Sequence, residues 1–358
     1  MYMNATDILK TLRPSRIIYP VLIGVGVAGY LLFRGFDVSA FASINWTWHA
    51  GMWCLIALMM MVVRDLAYMY RIRVLTDNQI SWRRSFDVIM LWEFASAITP
   101  TIVGGSAVAI FIIHKEIGNL GKSTAIVMVS ALLDELFYVI MVPILYFYVG
   151  SEQILSIAQS GSVEEMTFGY GLFYVFVFGY FFILTYSIII LYALFYNPRV
   201  IKWVFIKVFS FPYLRKWRQD ASNAGDDLII GSKEIKGKSK DFWFKAGGAT
   251  FLSWTARFWV VNFLIIIPLT GGLGFADHML IYARQLVMWV IMLISPTPGG
   301  SGLAEIVFTV FLSDKIPTGL GSSMALLWRL ISYYPYLFIG AIILPAWIKR
   351  VFAKNPTE

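Results

Sequence analysis

The chain contains continuous apolar stretches that are as long as a bilayer is thick. Residues 17–33, 48–63, 168–196 and 319–348 form runs of this kind, and Arg329 is the single Lys, Arg, Asp or Glu residue within them. An α-helix of about 20 residues crosses the hydrocarbon core and satisfies its own backbone hydrogen bonds there. The runs therefore predict a polytopic all-α membrane protein.

Composition excludes an ordinary soluble enzyme and a transmembrane barrel. Hydrophobic residues make up 59% of the 358 residues and charged residues 14%, against roughly 45–50% and 25% in soluble domains. A membrane barrel shows short segments of alternating polarity, whereas the run 168–196 is apolar without interruption. The chain is therefore assigned to the helical membrane class.

Cysteine and histidine usage gives no sign of a bound metal or cofactor. Cys54 is the only cysteine, and His49, His114 and His278 lack metal-ligand spacing. The net charge of +8 comes from basic loops beside the apolar runs, where topology and anionic lipid headgroups explain it better than nucleic acid. We expect no cofactor, no metal and no nucleic-acid partner.

Hydropathy predicts six membrane spans and two broken segments. The predicted spans are 17–33, 48–69, 123–149, 168–196, 247–269 and 319–348. Residues 85–115 and 279–313 are each too long for one span and too short for two, and Pro and Gly interrupt both near their middle. Such segments are typical of re-entrant helical hairpins. The first run lacks a small-residue cleavage site, which favours a retained span over a signal peptide.

The distribution of basic residues favours the hairpin model. With an inside N-terminus and two hairpins, the cytoplasmic segments hold 23 of the 29 Lys and Arg residues. If both broken segments crossed fully, segment 197–245 with its eleven basic residues would face outward, against the positive-inside rule. We therefore predict a multi-pass protein of the bacterial cytoplasmic (inner) membrane with both termini in the cytoplasm.

This topology divides the chain into an inverted repeat of residues 1–155 and 156–358, each with three spans and one hairpin. An odd number of spans inverts the second half, so the hairpins enter from opposite faces and their tips meet near the midplane, where transporters bind substrate. An offset of 195 residues superposes the Gly-Gly-Ser tripeptides 104–106 and 299–301. The same tripeptide in the same broken context supports the repeat.

Nine ionisable residues lie inside or at the edges of the apolar segments, where burying a charge costs at least about 2.5–3.5 kcal/mol. They are Arg64, Asp65, Glu93, Asp134, Glu135, Arg257, Arg284, Glu305 and Arg329. The offset of 195 places Asp134 on Arg329, and we predict that these two form a buried, switchable ion pair. Glu135, Arg64 and Glu93 are predicted as further gating charges. For Arg64, Asp65 and Arg284, structural pairing or snorkelling is an equal alternative.

The Gly-rich hairpin tips are predicted to bind phosphate, because a helix that starts after glycines presents free N–H groups and a positive dipole end. The alternative is that Gly-Gly only permits close helix packing. Glu305 is expected to receive an ammonium group, so the substrate is expected to be amphiphilic. The predicted substrate-binding residues are Gly104, Gly105, Ser106, Pro296, Gly299, Gly300, Ser301, Gly302, Glu305, Arg257, Arg284 and Arg329.

Segment 197–245 combines basic and aromatic residues. This mixture is typical of an interfacial stretch that contacts anionic lipid headgroups. Its Lys-rich part, residues 231–240, is predicted to be a mobile loop. No regulatory role follows from the composition alone.

The second break carries the most specific pattern of the chain. Residues 295–305 read Ser-Pro-Thr-Pro-Gly-Gly-Ser-Gly-Leu-Ala-Glu, and Arg329, Pro335 and Gly340 follow. This pattern resembles the transmembrane flippase-like domain of bacterial lysylphosphatidylglycerol synthases, and the resemblance covers nearly the whole chain. It implies lipid translocation, because family members are linked to moving aminoacylated phosphatidylglycerol and archaeal relatives to polyprenyl-phosphate-linked sugar pathways.

The sequence departs from the family pattern at two positions. The first hairpin has no glutamate that matches Glu305, and Asp134 stands where an arginine is more usual. The chain ends at Glu358 without the soluble aminoacyl-transferase domain of the synthases, so we expect a stand-alone member that does not synthesise the lipid. The headgroup is therefore not carried over from the family.

Three functions compete at this point. The leading hypothesis is a flippase or scramblase, not an enzyme, that moves a phosphate-bearing lipid. The alternatives are a membrane enzyme acting on a lipid phosphate or glycosyl carrier, with Asp134, Glu135 or Glu305 as acid or base, and a noncatalytic partner of a lipid-modifying transferase. A homo-oligomer and a complex with a lipid-modifying enzyme are both compatible with the sequence.

Overall fold

All regular secondary structure in the described part of the chain is helical. The computed structural model describes residues 42, 46–99, 102–150, 153–154, 163–211, 215–269, 271–293, 295 and 297–353. Within these residues, five helices are long and apolar enough to cross a membrane. The polytopic all-α class is therefore confirmed, while the predicted first span, 17–33, and Pro296 lie outside the described residues.

Twelve α-helices form in the described residues. They are α1 (Trp48–Leu75), α2 (Trp82–Ile98), α3 (Ile102–Ile117), α4 (Leu120–Val149), α5 (Val163–Leu191), α6 (Pro198–Val208), α7 (Arg218–Lys236), α8 (Lys240–Ile266), α9 (Phe275–Met292), α10 (Leu303–Phe311), α11 (Gly321–Ser332) and α12 (Tyr334–Ala353). A π-helix, Tyr192–Tyr196, continues α5, and short 3-10 turns lie at Arg215–Trp217 and Pro298–Gly300.

Polar side chains start four of these helices. Thr47, Ser81, Asn119 and Ser239 precede α1, α2, α4 and α8, and each accepts a hydrogen bond from a backbone N–H in the first turn. Such caps satisfy donors that have no partner within the helix. The helix starts therefore follow from local sequence.

Helix boundaries differ from the predicted spans in two instructive places. Helix α1 continues past the predicted end at residue 69 to Leu75, and this extension carries Arg71 into the protein interior. The predicted span 319–348 is divided at Tyr333, whose φ of −130° and ψ of −57° separate α11 from α12. Hydropathy missed the extension of α1 because a buried arginine lowers the local mean hydropathy. It missed the break at Tyr333 because a change of backbone direction leaves the mean hydropathy unchanged.

The two broken segments both form pairs of packed helices. Helix α2 ends at Thr99, whose backbone is extended, and Gly105 near the start of α3 lies directly against Ser96. In the second segment α9 is followed by the Pro298–Gly300 turn and by α10, which has only 9 residues. A helix of that length spans about 14 Å, less than half of the roughly 30 Å hydrocarbon core. Re-entry of the two segments from opposite faces of a bilayer stays a prediction.

Helices α1 and α8 run antiparallel along most of their length. Trp53 stacks on Phe263 with ring centroids 5.5 Å apart. The Ser253 hydroxyl donates to the Arg64 carbonyl, and Arg71 donates to Thr250 Oγ1. The contact joins residues 179 to 210 positions apart in the chain, so it is a tertiary feature that local sequence does not predict.

Other helices also pair across the predicted division of the chain. Helix α12 packs on α2, and α9 packs on α4. A Cβ added at Gly340 would overlap Phe94, so the absence of a side chain lets α12 approach α2 closely. The helices of the two predicted halves therefore form one interleaved bundle in the described residues.

The basic segment is more ordered than the sequence indicates. Helix α7 continues to Lys236, and Gly231 lies against Ala125 and the Gly121 carbonyl of α4. Ser232 is buried and its hydroxyl donates to the Leu194 carbonyl. The prediction of a mobile loop over 231–240 is therefore wrong for its helical part, because glycine here serves close packing.

Asp77 joins three elements at one end of the bundle. Its carboxylate accepts from Lys122 Nζ at 2.9 Å and from Lys238 Nζ at 2.6 Å. Partial burial opposes ionisation of this carboxyl, but the hydrogen bonds and charges of Lys238 and Lys122 outweigh burial and lower its pKa below the usual value. The loop after α1 is thereby linked to α4 and to the start of α8.

Substitution of Gly340 by leucine is expected to destabilise the protein. The new side chain overlaps Phe94, and overpacking of a filled interface costs about 1–3 kcal/mol. Thermal unfolding in detergent should show a lower midpoint than wild type. Gly248→Leu is the matched control, because a Cβ at this exposed helical glycine meets no atom within 4 Å. Equal midpoints for both variants would contradict the close approach of α2 and α12.

Asp77→Asn is expected to remove a pH-dependent part of the stability. Because the pKa of Asp77 is lowered in the folded state, its stabilisation is present above the unfolded value of about 4 and is lost as pH falls through the folded value. The wild-type unfolding midpoint should therefore fall more steeply than that of the variant between about pH 5 and pH 3. Parallel curves would show that the bridge does not form. Asp241→Asn, at an exposed pair with Lys245, should keep the wild-type slope.

Candidate functional site

A cavity of about 290 Å³ lies where the two broken segments face each other. Its wall takes residues from α1, α2, α3, α4, α8, α9, α11 and α12 and from the second break. Charged residues on the wall are Arg71, Glu93, Asp134, Glu135, Arg257 and Arg329, and the aromatic ones are Tyr68, Trp92, Tyr138, Trp254, Trp289, Trp328, Tyr333 and Tyr336. The cavity thus combines both charge signs with large apolar surfaces.

Arg71 and Asp134 form the most extensive ion pair on the wall. Arg71 donates to both carboxylate oxygens of Asp134, at 2.5 and 3.1 Å, and to Thr250 Oγ1 at 3.1 Å. Trp254 Nε1 donates to the same carboxylate at 2.8 Å. The Arg71 guanidinium also lies 4.5 Å above the Tyr68 ring. Two-pronged pairing of this kind holds both side chains in one geometry.

Arg64 is fully buried beneath the wall and binds two carboxylates. It donates to Asp65 at 2.8 Å and to Glu93, and Glu93 lines the cavity. Tyr336 Oη donates to both oxygens of Asp65, at 2.9 and 3.0 Å. The Arg64 guanidinium lies between the rings of Tyr68 and Tyr336, at 4.5 and 5.0 Å. This cluster ties α1, α2 and α12 together.

Arg329 holds the second break in place. It donates to the Gly299 carbonyl at 2.8 Å and to Ser301 Oγ at 3.2 Å, and its Nε lies 3.2 Å from Glu305 Oε1. The other Glu305 oxygen accepts from the Gly302 N–H at 2.6 Å. Glycine is required here because residues 299, 300 and 302 have φ values of 58°, 69° and 89°.

Tyr333 connects the second break with the first. Its ring lies where a Cβ on Gly299 would be, and its hydroxyl donates to the Ala97 carbonyl at 3.0 Å. Arg329 lies 3.8 Å above the same ring. The backbone break between α11 and α12 occurs at this residue, so one side chain contacts both broken segments and Arg329.

Arg257 has a different environment from the other arginines of the wall. Its guanidinium lies 4.4 Å from the Trp289 ring and 5.4 Å from the Trp254 ring. No carboxylate of the described residues lies within ion-pair distance of it. Tryptophan faces attract a cation without neutralising its charge, so Arg257 presents a positive charge to the cavity.

Glu135 is the carboxylate of the wall that binds no arginine or other donor among the described residues. One of its oxygens is buried and accepts no hydrogen bond from any described residue. The hydroxyl of Tyr138, one turn further along α4, is also buried and also lacks a described hydrogen-bond partner. Unsatisfied groups of this kind are costly in a protein interior, and two of them on one cavity wall indicate a binding site.

The structure brings together some, not all, of the predicted site residues. Ser106, Gly299, Gly300, Arg257, Arg329, Glu93, Asp134 and Glu135 line the cavity. Ser301, Gly302 and Glu305 lie behind Arg329, where Glu305 caps α10 instead of presenting a free carboxylate. Gly104 and Gly105 lie at the start of α3, where Gly105 serves the close contact with Ser96. Arg64 binds both Asp65 and Glu93, and of these three residues only Glu93 lines the cavity.

Arg284 does not belong to this site. It is 1% exposed and donates to the Phe311 and Gln153 carbonyls, both at 3.0 Å, and to Asp314. These partners hold α9 against the end of α10. The prediction that Arg284 binds substrate is therefore wrong, and the alternative of structural pairing describes it.

The predicted pair of Asp134 and Arg329 does not form in this structure. Both residues line the cavity, but Asp134 binds Arg71 and Arg329 binds Glu305. Sequence reasoning missed Arg71, because the hydropathy boundary at residue 69 placed it in a cytoplasmic loop. Its position seven residues after Arg64, two helical turns along the same face, is the signal that would have identified it.

Comparison with known proteins gives the family. A family model described as the lysylphosphatidylglycerol synthase TM region matches residues 17–340. The chain therefore belongs to this family, and the resemblance drawn from residues 295–305 is confirmed. A UPF0104 membrane protein of Archaeoglobus fulgidus is 24% identical over 312 residues, which cover 84% of this chain and 88% of that protein. No solved structure matches the chain.

Arg71→Met is expected to destabilise the fold, because it leaves the Asp134 charge without its cation. Breaking a buried pair costs about 3–5 kcal/mol. Adding Asp134→Leu should restore part of the lost stability, so a double-mutant cycle should give a coupling energy above about 1 kcal/mol. Thermal unfolding in detergent measures each variant.

The exposed pair of Lys202 and Asp226 is the matched control for this cycle. An exposed pair contributes about 0.2–1 kcal/mol, so its coupling should be smaller. Additive effects of the Arg71 and Asp134 substitutions would contradict the pairing on the cavity wall.

Proposed function

We propose, from membership of the lysylphosphatidylglycerol synthase transmembrane family, that the protein is a flippase or scramblase that moves a phosphate-bearing lipid between the leaflets. The single observation that carries the proposal is the cavity between the two broken segments, with Arg257 and Arg329 on its wall. Guanidinium groups are well suited to binding phosphate, because their planar N–H donors match its oxygens. The proposed substrate is an aminoacylated phospholipid or a polyprenyl-phosphate-linked lipid.

Intramembrane charges support a transport role over a purely structural one. Ionisable residues within membrane segments are expensive and mark substrate or ion pathways. Arg71 and Asp134 on this wall lie far apart in sequence and meet only through the fold. A cavity with such a wall gives a polar headgroup a solvated route past the hydrocarbon.

An inverted repeat is the proposed basis of movement. The 195-residue offset makes α2 equivalent to α9, and the C-terminal part of α4 equivalent to α12. Helix α2 packs on α12, and α9 packs on α4. Helices α1 and α8, equivalent at an offset of 193, pair antiparallel. This exchange of partners is what a two-fold relation between the halves requires. In the proposed mechanism one repeat rocks against the other around the cavity.

The proposed orientation follows from charge. Both termini are assigned to the cytoplasm, and α6 and α7 are assigned to the cytoplasmic surface of a bacterial inner membrane. Trp203 is 59% exposed and its ring lies under the Lys207 ammonium group, as expected of a helix that lies on anionic headgroups.

Lipid movement in proteoliposomes tests the proposal. The expected result is faster transfer of one of three lipids, phosphatidylglycerol, an aminoacylated phosphatidylglycerol or a polyprenyl phosphate, than in protein-free vesicles. Arg257→Gln should reduce that rate by at least about tenfold, since a hydrogen bond to a charged group contributes about 1.5–3 kcal/mol. Lys245→Gln, an exposed change on the same helix, should leave the rate at the wild-type level.

Mass spectrometry of the same vesicles separates transport from catalysis. Unchanged lipid masses together with selective movement support a transporter. A change in the mass of one lipid would support a membrane enzyme instead. Equal rates for wild type and Arg257→Gln would overturn the role of the cavity.

A further inference from the structure

The cavity wall carries two opposite charges that are not paired. Asp134 binds Arg71, Glu305 binds Arg329, and Glu93 binds Arg64. Among the described residues, this leaves Arg257 and Glu135 without an ion-pair partner. Both line the same cavity, yet they do not bind each other.

Tyr138 lies on the same cavity wall as these two groups. Its ring packs against Trp254 and Trp289, which also flank Arg257, at centroid distances of 5.0 and 6.4 Å. Glu135 lies three residues before Tyr138 on α4, about one helical turn away. Tyr138 is 2% exposed and its hydroxyl has no described hydrogen-bond partner. An orphaned donor on the wall is an independent sign that a ligand completes the site.

The sum of the ionised groups is negative. Four arginines, Arg64, Arg71, Arg257 and Arg329, face five carboxylates, Asp65, Glu93, Asp134, Glu135 and Glu305. An anion bound at Arg257 would increase this excess, and unbalanced charge in a medium of low dielectric constant is strongly unfavourable. The binding of an anion therefore needs an accompanying positive charge.

We infer that a phosphate-bearing headgroup binds at Arg257 together with one proton, which the Glu135 carboxylate takes up from water in the cavity. The phosphate oxygens accept from the Arg257 guanidinium and from the Tyr138 hydroxyl. The proton neutralises Glu135, so headgroup and proton enter together and the charge of the wall is kept. The inference rests on the proposed function and adds proton coupling to it.

Glu135 is the acceptor because each of the other four carboxylates already lies within ion-pair distance of an arginine. The titratable or charged groups around it are Asp134 and Tyr138 on its own helix, Tyr186 on α5, Tyr68 and Arg71 on α1, and Arg257 on α8. Of these, Asp134 adds negative charge next to Glu135, and Arg71 is engaged by Asp134. The wall residues of α9, Trp289 and Met292, carry no charge.

Calorimetry of headgroup binding tests the coupling directly. The probe is dihexanoyl phosphatidylglycerol, a phosphodiester whose own charge stays constant between about pH 5.5 and pH 8.5. Titrations of the full chain in two buffers with different ionisation enthalpies give the number of protons taken up per bound lipid. For wild type this number should rise towards one with increasing pH, and the affinity should fall by up to about tenfold per pH unit.

Two substitutions assign the proton and the anion. Glu135→Gln keeps the side-chain volume and should bind the probe with no proton uptake and with less than about twofold change in affinity across this range. Arg257→Gln should weaken binding by at least about tenfold. Asp241→Asn, at an exposed carboxylate, should behave as wild type. A monodisperse size-exclusion profile and an unfolding midpoint near wild type establish that each variant is folded.

Each outcome decides between the inference and its alternatives. Wild-type binding without proton uptake, or pH dependence that persists in Glu135→Gln, overturns the coupling. Absence of wild-type binding overturns the phosphodiester site. Lipid movement in vesicles without proton-linked binding retains the proposed function and rejects this inference. Proton-linked binding without lipid movement retains the binding site and rejects the proposed function.

Discussion

The cost of burying arginine organises this protein. Arg64 is fully buried, and its partners Asp65, Glu93 and Tyr336 lie on three helices. A buried guanidinium without partners would be several kcal/mol less stable, so the helices that supply them must meet around it. Arg71 and Arg329 impose the same condition on α4, α8 and the second break. The position of each broken segment thus follows from electrostatics as much as from apolar packing.

The cavity is the space that these ion pairs leave open. The wall explains how Gly-rich backbone is tolerated inside an apolar bundle. The Gly299 carbonyl accepts a hydrogen bond from Arg329, and the Gly302 N–H donates one to Glu305. Within a membrane, non-helical backbone is tolerated only where it lines a water-filled cavity or is hydrogen-bonded to other parts of the protein. Arg257 contacts the rings of Trp254 and Trp289 instead of a carboxylate, and one oxygen of Glu135 has no hydrogen-bond partner within the described segments. The proposed chemistry is assigned to these two residues for that reason.

Much of the fold class could be read from the sequence, and much of the site could not. The helical breaks, the family pattern of residues 295–305 and most of the interior charges are local features, and they are found where the sequence places them. Partners are not local: Asp134 binds Arg71, 63 residues away, and not Arg329. Arg284 is a candidate substrate residue in the sequence because it lies within an apolar segment, while its bonds to Gln153 and Asp314 depend on how α9 meets distant segments.

The sequence by itself determined that the long helices are apolar enough to cross a membrane, and that the chain breaks at the Gly-rich residues 298–302. Hydropathy and backbone freedom decide these properties, and both act over a few turns. Tertiary structure alone decided which charges pair, that Tyr333 divides the last span, and that Arg257 and Glu135 have no ion-pair partner in the described part of the chain. These depend on distances between residues tens to hundreds of positions apart, and charge interactions in a protein interior are sensitive to those distances.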